Sequence, residues 1–139
     1  MADIRATPRT TTATRPLSPH LSVYRPMLTM IMSIAHRITG IALYAGTLLL
    51  ASWLIAASSD AGAFASVSSL MNSWIGRLVL FGFTWALFHH MLGGLRHFVW
   101  DMGRGMEDPE REYLAAGTLI GGLALTLLVW TVFFTTRGA

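Results

Sequence analysis

The sequence predicts an all-α integral membrane protein with three transmembrane helices, and three observations lead to this fold class. First, 53% of the 139 residues are hydrophobic and only 12% are charged, about half of the ~25% that is typical of soluble domains. Second, three runs of 22, 18 and 24 residues contain no Asp, Glu, Lys or Arg: residues 38–59, 78–95 and 113–136. Third, at about 1.5 Å per residue each run is about as long as the ~30 Å hydrocarbon core of a bilayer.

A soluble bundle of three buried helices is the main alternative fold. Its helices would need polar outer faces, and the stretches "IALYAGTLLLASWLIAA" (41–57) and "YLAAGTLIGGLALTLLVWTVFF" (113–134) have none. The lack of cysteine excludes disulfides, thiolate metal sites and cysteine nucleophiles. We therefore expect the chain to contact a lipid bilayer and no nucleic acid.

The segments between the apolar runs predict the connections. The first 14 residues, "MADIRATPRTTTAT", are rich in Thr and Arg, and we expect a disordered or partner-bound arm there rather than a transit peptide. Small polar residues over 58–73 indicate a loop, and Pro109 followed by acidic residues is typical of a helix start. The predicted division is a cytoplasmic arm (1–28), transmembrane helix 1 (29–57), an outer loop (58–73), transmembrane helix 2 (74–98), an inner loop (99–112), transmembrane helix 3 (113–135) and an outer tail (136–139).

The arginines predict the orientation of the chain. All ten basic residues are arginine, and eight of them flank the same side of the predicted helices. The positive-inside rule places that side in the cytoplasm, or in the mitochondrial matrix of a eukaryote, so the N-terminus lies inside and the C-terminus outside. The eight inner residues are Arg5, Arg9, Arg15, Arg25, Arg37, Arg96, Arg104 and Arg111, and the two outer ones are Arg77 and Arg137.

The stretch "HHMLGGLRHFVWD" (89–101) ends the second apolar run with ionisable residues, which mark functional sites when they lie within a membrane. One helical stripe contains His90 among small residues, with His89 about 100° away. A histidine on such a stripe either donates a hydrogen bond between helices, worth about 1 kcal/mol, or ligates a haem whose flat ring approaches the backbone closely. The stripe comprises Gly82, Ala86, His90, Gly93, Gly94 and His97.

A haem ligated by His90 through iron needs a second axial ligand at the same depth. His36 lies at the start of helix 1, near the depth of His97, and His20 lies in the N-terminal arm. His90 is seven residues, about 10 Å, deeper than His97. A bis-histidine haem would therefore take its second ligand from another chain, which indicates a subunit rather than a self-sufficient cytochrome.

A second polar cluster, "SIAHRITG" (33–40), opens helix 1. Ser33, His36 and Arg37 are spaced i, i+3 and i+4, so they share one face of the helix. One interpretation is a snorkelling arginine beside a serine that bonds to the helix backbone. The other is a site for an anionic or carbonyl group, such as a haem propionate or a quinone head.

The stretches "RPLSPHLSVYRPMLTMIMSIAHRITG" (15–40) and "HMLGGLRHFVWDMG" (90–103) resemble the two signature stretches of the succinate dehydrogenase cytochrome b family. This family is the larger membrane anchor of respiratory complex II. The resemblance lies in an early Arg-Pro, in Ser-x-x-His-Arg-x-Thr-Gly at the start of helix 1, and in His-x-x-x-Gly-Leu-Arg-His followed by Asp-x-Gly. These stretches cover 40 of the 139 residues.

The resemblance implies a role for each matching residue. His90 matches the axial ligand of haem b, with the other ligand from the smaller anchor subunit. His36 and Arg37 match residues near the haem propionates, and Ser33 and Arg37 match residues that line the ubiquinone site. Arg96 and His97 would balance charge near the propionates, and Asp101 would deliver protons to the quinone. For these three residues, a structural role in the polar interface is an equally open alternative.

The resemblance also implies the function and the partners. The chain would be the anchor subunit of succinate:ubiquinone oxidoreductase, not an enzyme on its own, and would bind haem b and contribute to quinone reduction. Its partners would be a second small anchor subunit, an iron–sulfur subunit and a flavoprotein subunit, in a bacterial cytoplasmic membrane or a mitochondrial inner membrane. The alternatives are the anchor of a fumarate reductase or of another quinone-linked cytochrome b, and a small transporter or structural membrane protein, which would leave both histidine clusters unexplained.

Overall fold

The computed structural model describes residues 24–137, which form four α-helices. The predicted arm over residues 1–28 lies mostly outside the described residues. The helices are α1 (Leu28–Ser59), α2 (Ala61–Asn72), α3 (Trp74–Asp101) and α4 (Glu110–Arg137). Helix α3 lies at the centre and packs against each of the others, and α1 also contacts α2 and α4.

Three of the helices are long and apolar enough to cross a membrane: Leu28–Ser59, Trp74–Asp101 and Glu110–Thr136. Their outward surfaces carry large apolar side chains, such as Ile41, 71% exposed, and Tyr44, 77% exposed. Such a surface is stable in contact with lipid and would be costly in water. The prediction of an all-α membrane protein with three long spans is confirmed.

Helix α2 differs from the predicted loop over 58–73. The Asp60 carboxylate accepts a hydrogen bond from the backbone N–H of Ala63 (2.9 Å) and so caps the start of α2. At the other end, the Ser73 hydroxyl accepts a hydrogen bond from the N–H of Gly76 (3.1 Å) and caps α3. The small polar composition of this segment predicted a loop, but two of its polar residues cap helices instead. Helix α2 also packs against α1, where the centre of the Phe64 ring lies 5.8 Å from that of the Trp53 ring.

The connection between α3 and α4 is a short turn. Helix α3 continues to Asp101, three residues beyond the predicted end, and α4 begins at Glu110, directly after Pro109. Positive φ angles at Gly103 (+73°) and Gly105 (+69°) reverse the chain, and glycine adopts them without steric cost. The Trp100 indole N–H donates to the Gly105 carbonyl (2.8 Å), which ties the turn to the end of α3.

Small residues allow the helices to approach closely. A Cβ atom at Gly46 would overlap the Phe83 ring of α3, and one at Gly122 would lie 3.2 Å from the Cα of His89. The buried hydroxyls of Thr118 and Thr126 donate to carbonyls one turn earlier in α4, so they add no unpaired polar group to the interface. Close backbone approach is the usual basis of helix packing in a bilayer.

The antiparallel course of the spans gives the molecule two ends. The start of α1, the end of α3 and the start of α4 form one, which we call the arginine-rich end because it contains Arg25, Arg37, Arg96, Arg104 and Arg111. The opposite end, which we call the α2 end, contains α2 and Arg77.

The odd number of spans and the arginine distribution predict opposite locations for the two termini. A reporter fused after Ala139 should be active on the outer side of the membrane, in the periplasm or the intermembrane space, because the arginine-rich end is held inside. A matched fusion after Gly105, at the arginine-rich end, should be active only inside. Activity of the C-terminal fusion in the cytoplasm alone would contradict the orientation.

Candidate functional site

A pair of histidines joins α1 to α3 near the arginine-rich end. The rings of His36 and His90 stack with their centroids 3.9 Å apart and 12° between their planes. Each ring also donates a hydrogen bond to the other residue's backbone: His90 Nδ1 to the His36 carbonyl (3.0 Å), and His36 Nε2 to the His90 carbonyl (3.2 Å). The two helices are therefore fixed to each other at this point by a reciprocal pair of bonds.

The hydrogen bond from His90 determines which of its nitrogens is free. A carbonyl oxygen only accepts, so Nδ1 of His90 carries the proton in a neutral ring and Nε2 keeps its lone pair. The Thr39 hydroxyl shares its single proton between the carbonyls of Ala35 and His36 (2.9 Å each), so its oxygen, 3.4 Å from the same Nδ1, is left to accept from the His90 N–H. Metal-ligating histidines are commonly oriented in this way, with the second nitrogen bonded to a carbonyl. In a neutral His90 ring, Nε2 is therefore available to accept a hydrogen bond or to ligate a metal.

Two glycines provide the space for the histidine pair. A Cβ atom at Gly40 would lie 3.0 Å from Cε1 of His90, and one at Gly93 would overlap the His36 ring. The predicted glycine stripe thus serves two purposes. Gly93 contacts His36, whereas a Cβ at Gly82 or Gly94 would meet nothing within 4 Å and so leaves open space.

An apolar groove between α1 and α3 begins beside His90. It has a volume of about 690 Å³, and its lining includes Thr39, which contacts His90, and Ala86, one turn before His90. The rest of the lining combines small residues (Ala42, Ala45, Gly46 and Gly82) with larger apolar ones, which include Phe83 and Trp85. Such a groove accepts a flat apolar group or another helix. Among residues 24–137, no group of three His, Asp or Glu side chains could hold a metal ion, so a metal at His90 would need most of its ligands from a cofactor or a partner.

The histidine cluster continues toward the end of α3. The His97 ring packs edge-on against His36 (5.5 Å) and against Trp100 (5.2 Å). Asp101 is the last residue of α3 and is exposed. The structure therefore brings His36, His90 and His97 together, with Asp101 one turn beyond.

Ser33 and Arg37 are exposed on α1 at the arginine-rich end. They lie one helical turn apart, as their spacing predicts. A hydroxyl and a guanidinium on a surface that is otherwise apolar leave hydrogen-bond donors available to a ligand or to a second chain.

His89 and Arg96 lie on another side of α3, toward α4. His89 is fully buried (0% exposed), its ring lies 5.2 Å from the Trp85 ring, and neither ring nitrogen has a hydrogen-bond partner among residues 24–137. The α4 backbone at Gly122 packs directly on it. His89 therefore has no space for a cofactor. Helical spacing in the sequence separates His89 from the stripe of His90, but it does not reveal that His89 packs tightly on α4. The adjacent glycines Gly121 and Gly122 are the sequence signal for this close packing.

The fold and the site together define a class: polytopic helical membrane subunits with a histidine cluster near one end of the spans, beside an apolar groove. Comparison with known proteins then gives the family. The model of the succinate dehydrogenase/fumarate reductase transmembrane subunit family matches residues 11–133. The chain belongs to this family and is a multi-pass membrane protein.

Named relatives agree with this assignment. The chain is 46% identical over 120 residues (86% of this chain, 92% of the relative) to the succinate dehydrogenase cytochrome b556 subunit of Paracoccus denitrificans. It is 34% identical over 116 residues (84% and 90%) to the protein of the same name from Rickettsia felis. It is also 42% identical over 101 residues (69% and 58%) to the mitochondrial succinate dehydrogenase cytochrome b560 subunit of Sus scrofa.

The different surroundings of His89 and His90 predict different effects on stability. His89→Leu should leave the thermal unfolding temperature of the detergent-solubilised protein unchanged or raise it, because it removes two unpaired buried nitrogens and keeps an apolar side chain of similar length. His90→Leu should lower it, because it removes a bond between helices and the ring stack with His36, a loss of about 1–2 kcal/mol. A larger loss in His89→Leu than in His90→Leu would contradict this difference.

Proposed function

We propose that this chain is the cytochrome b membrane anchor of a succinate:ubiquinone oxidoreductase, located in a bacterial cytoplasmic or mitochondrial inner membrane. It would bind haem b together with a second small anchor subunit and form part of the site of quinone reduction. An iron–sulfur subunit and a flavoprotein subunit would complete the complex. The names of the relatives support the complex and its haem, and the orientation of His90 supports the particular ligand.

The observation that carries the proposal is the hydrogen bond from His90 Nδ1 to the His36 carbonyl (3.0 Å). In a neutral ring it selects the tautomer with Nε2 unprotonated, which is the form that binds haem iron. The groove of about 690 Å³ beside His90 supplies an apolar surface of small, aliphatic and aromatic residues, which would suit a porphyrin ring and an adjoining partner helix. When bound, haem b supplies a one-electron carrier within the membrane.

His36, His97 and Arg37 are proposed to face the haem propionates. All three lie at the arginine-rich end, and the His36 and His97 rings contact each other. Charged or hydrogen-bonding side chains there would offset the charge of the propionates, which the apolar groove cannot solvate. The side chain of Arg96 lies toward α4, so its role near a propionate remains a prediction.

Ser33 and Arg37 are proposed to bind the quinone head. Reduction develops negative charge on a quinone carbonyl oxygen, and a guanidinium and a hydroxyl stabilise that charge best in a partly dry site. Both side chains are exposed on this chain alone, so the docked iron–sulfur subunit would cover them and exclude water. Asp101, exposed at the end of α3 on the same side of the membrane, is proposed to deliver protons to the quinone.

The assignment of the haem ligand is tested by two adjacent substitutions in the intact complex. His90→Ala should abolish or strongly reduce the low-spin haem b signal in a reduced-minus-oxidised visible spectrum, since it removes the axial nitrogen. His89→Ala should retain the signal, because that ring is buried against Trp85 and Gly122. Loss of the signal in His89→Ala beside a normal spectrum in His90→Ala would overturn the assignment.

The assignment of the quinone site is tested by comparing two electron acceptors. Ser33→Ala should weaken quinone reduction modestly, by the loss of one hydrogen bond of about 1 kcal/mol, and Arg37→Ala should weaken it more because it removes a fixed charge. Neither should affect succinate oxidation with a soluble dye, whose electrons need not pass through this chain.

Arg77→Ala, at the α2 end of α3, is the matched control and should leave both activities unchanged. Equal losses with quinone and with dye would indicate an assembly defect. Unchanged quinone reduction in both Ser33→Ala and Arg37→Ala would remove the two residues from the site.

A further inference from the structure

Arg96 is a buried arginine without a hydrogen-bond partner among residues 24–137. Its side chain is 3% exposed, and neither Nε nor Nη1 is hydrogen-bonded. The guanidinium carbon lies 4.9 Å from the centre of the Trp100 ring, a contact that covers one face but leaves the in-plane N–H groups free. The neighbouring Arg111, by contrast, pairs with the Asp108 carboxylate (2.7 Å). Burying a guanidinium without an anion costs free energy, so we expect Arg96 to have a negatively charged partner.

A cavity of about 220 Å³ lies beside Arg96, between α3 and α4 at the arginine-rich end. Tyr113 and Thr118 contribute hydroxyls to its lining, but that of Thr118 already donates to the Leu114 carbonyl (2.9 Å). The remaining walls are apolar: Leu92, Leu95, Val99, Leu114 and Gly117. One cationic group among apolar walls fits an amphiphile whose anionic head meets the arginine.

The cavity continues toward the end of the helices. A second cavity, of about 290 Å³, shares Val99, Tyr113 and Leu114 with the first and is also lined by Arg104 and Glu110. In this second cavity the charges of Arg104 and Glu110 oppose each other. An anion therefore binds more favourably in the first cavity, where Arg96 is present and the lining has no carboxylate. Both cavities open between spans at the membrane boundary, the depth at which lipid phosphates lie.

We propose that Arg96 binds the phosphodiester of a membrane phospholipid at the end of the α3–α4 interface. The guanidinium donates two N–H groups to phosphate oxygens, a pairing that arginine makes in bidentate form. Tyr113, which also lines the cavity, supplies a further hydroxyl donor, and an acyl chain lies along the leucines and Gly117. Arg96 is about 100° around α3 from His97, so this lipid occupies a different side of the helix from the histidine cluster.

The binding is tested on the purified complex by native mass spectrometry, after mild delipidation and addition of phosphatidylglycerol. The wild-type complex should retain one tightly bound lipid, and phosphatidylglycerol should raise its unfolding temperature. In Arg96→Gln the affinity for the lipid should fall at least about tenfold, because the charge-assisted pair with the phosphate is lost. Arg77→Gln, an arginine at the opposite end of the same helix, should behave as wild type. Equal lipid retention in Arg96→Gln and Arg77→Gln would overturn the proposal.

A second variant removes the space and keeps the arginine. A Cβ atom at Gly117 would meet nothing within 4 Å, so Gly117→Leu should fold normally, fill the cavity from α4 and prevent lipid retention. Full lipid retention in Gly117→Leu would overturn the placement of the lipid. This test applies even if the Arg96→Gln complex fails to assemble.

The source of the phosphate is tested separately. Millimolar inorganic phosphate should neither displace the lipid nor reproduce its stabilisation, and if it did, the site would bind free anions instead. The proposal would also be overturned if the wild-type complex retained no lipid and Arg96→Gln lost a subunit. That combination would identify a carboxylate of the partner subunit as the group that Arg96 binds. If the proposal holds, Arg96 binds this lipid instead of a haem propionate, and the assignment of His90 as the haem ligand does not depend on which of these two anions Arg96 meets.

Discussion

The reciprocal hydrogen bonds between His36 and His90 determine much of this structure. They lock α1 to α3 at a defined register, because each ring reaches the other helix's backbone and no sliding of one helix preserves both bonds. They favour glycine at position 40, where a Cβ atom would lie only 3.0 Å from the His90 ring, and more strongly at position 93, where a Cβ atom would overlap the His36 ring. The same bonds determine which nitrogen of His90 keeps a free lone pair in a neutral ring, namely Nε2. One interaction therefore supplies packing, register and the protonation pattern of the candidate ligand.

The fold class followed from the sequence because bilayer thickness sets the length of a span. Residues 38–59, 78–95 and 113–136 each had the required length, and each lies within one long helix. Helix α2 did not follow, because small polar residues are common both in loops and at helix caps. The caps at Asp60 and Ser73 depend on where the neighbouring helices end, which composition does not specify.

Part of the candidate site was also accessible from sequence. Spacing at 100° per residue placed His90 and His97 on one stripe and separated His89 from it, and the structure agrees. Spacing on one helix cannot show which residue of another helix it meets, so the stack of His36 on His90 and the burial of His89 under Gly122 emerged only from the structure. Arg96 illustrates the same limit: its position in the sequence does not show that its guanidinium lies over the Trp100 ring and beside the cavity between α3 and α4.

The groove between α1 and α3 is open rather than enclosed, and apart from Thr39 its lining is apolar. A planar molecule dissolved in the bilayer could slide in laterally without separating the two helices. Loading of this subunit would then require no unfolding, and retention would depend on whatever chain later closes the open side. If haem b binds here as proposed, its affinity would depend on the chain that covers the open side and would therefore be a property of the assembled complex.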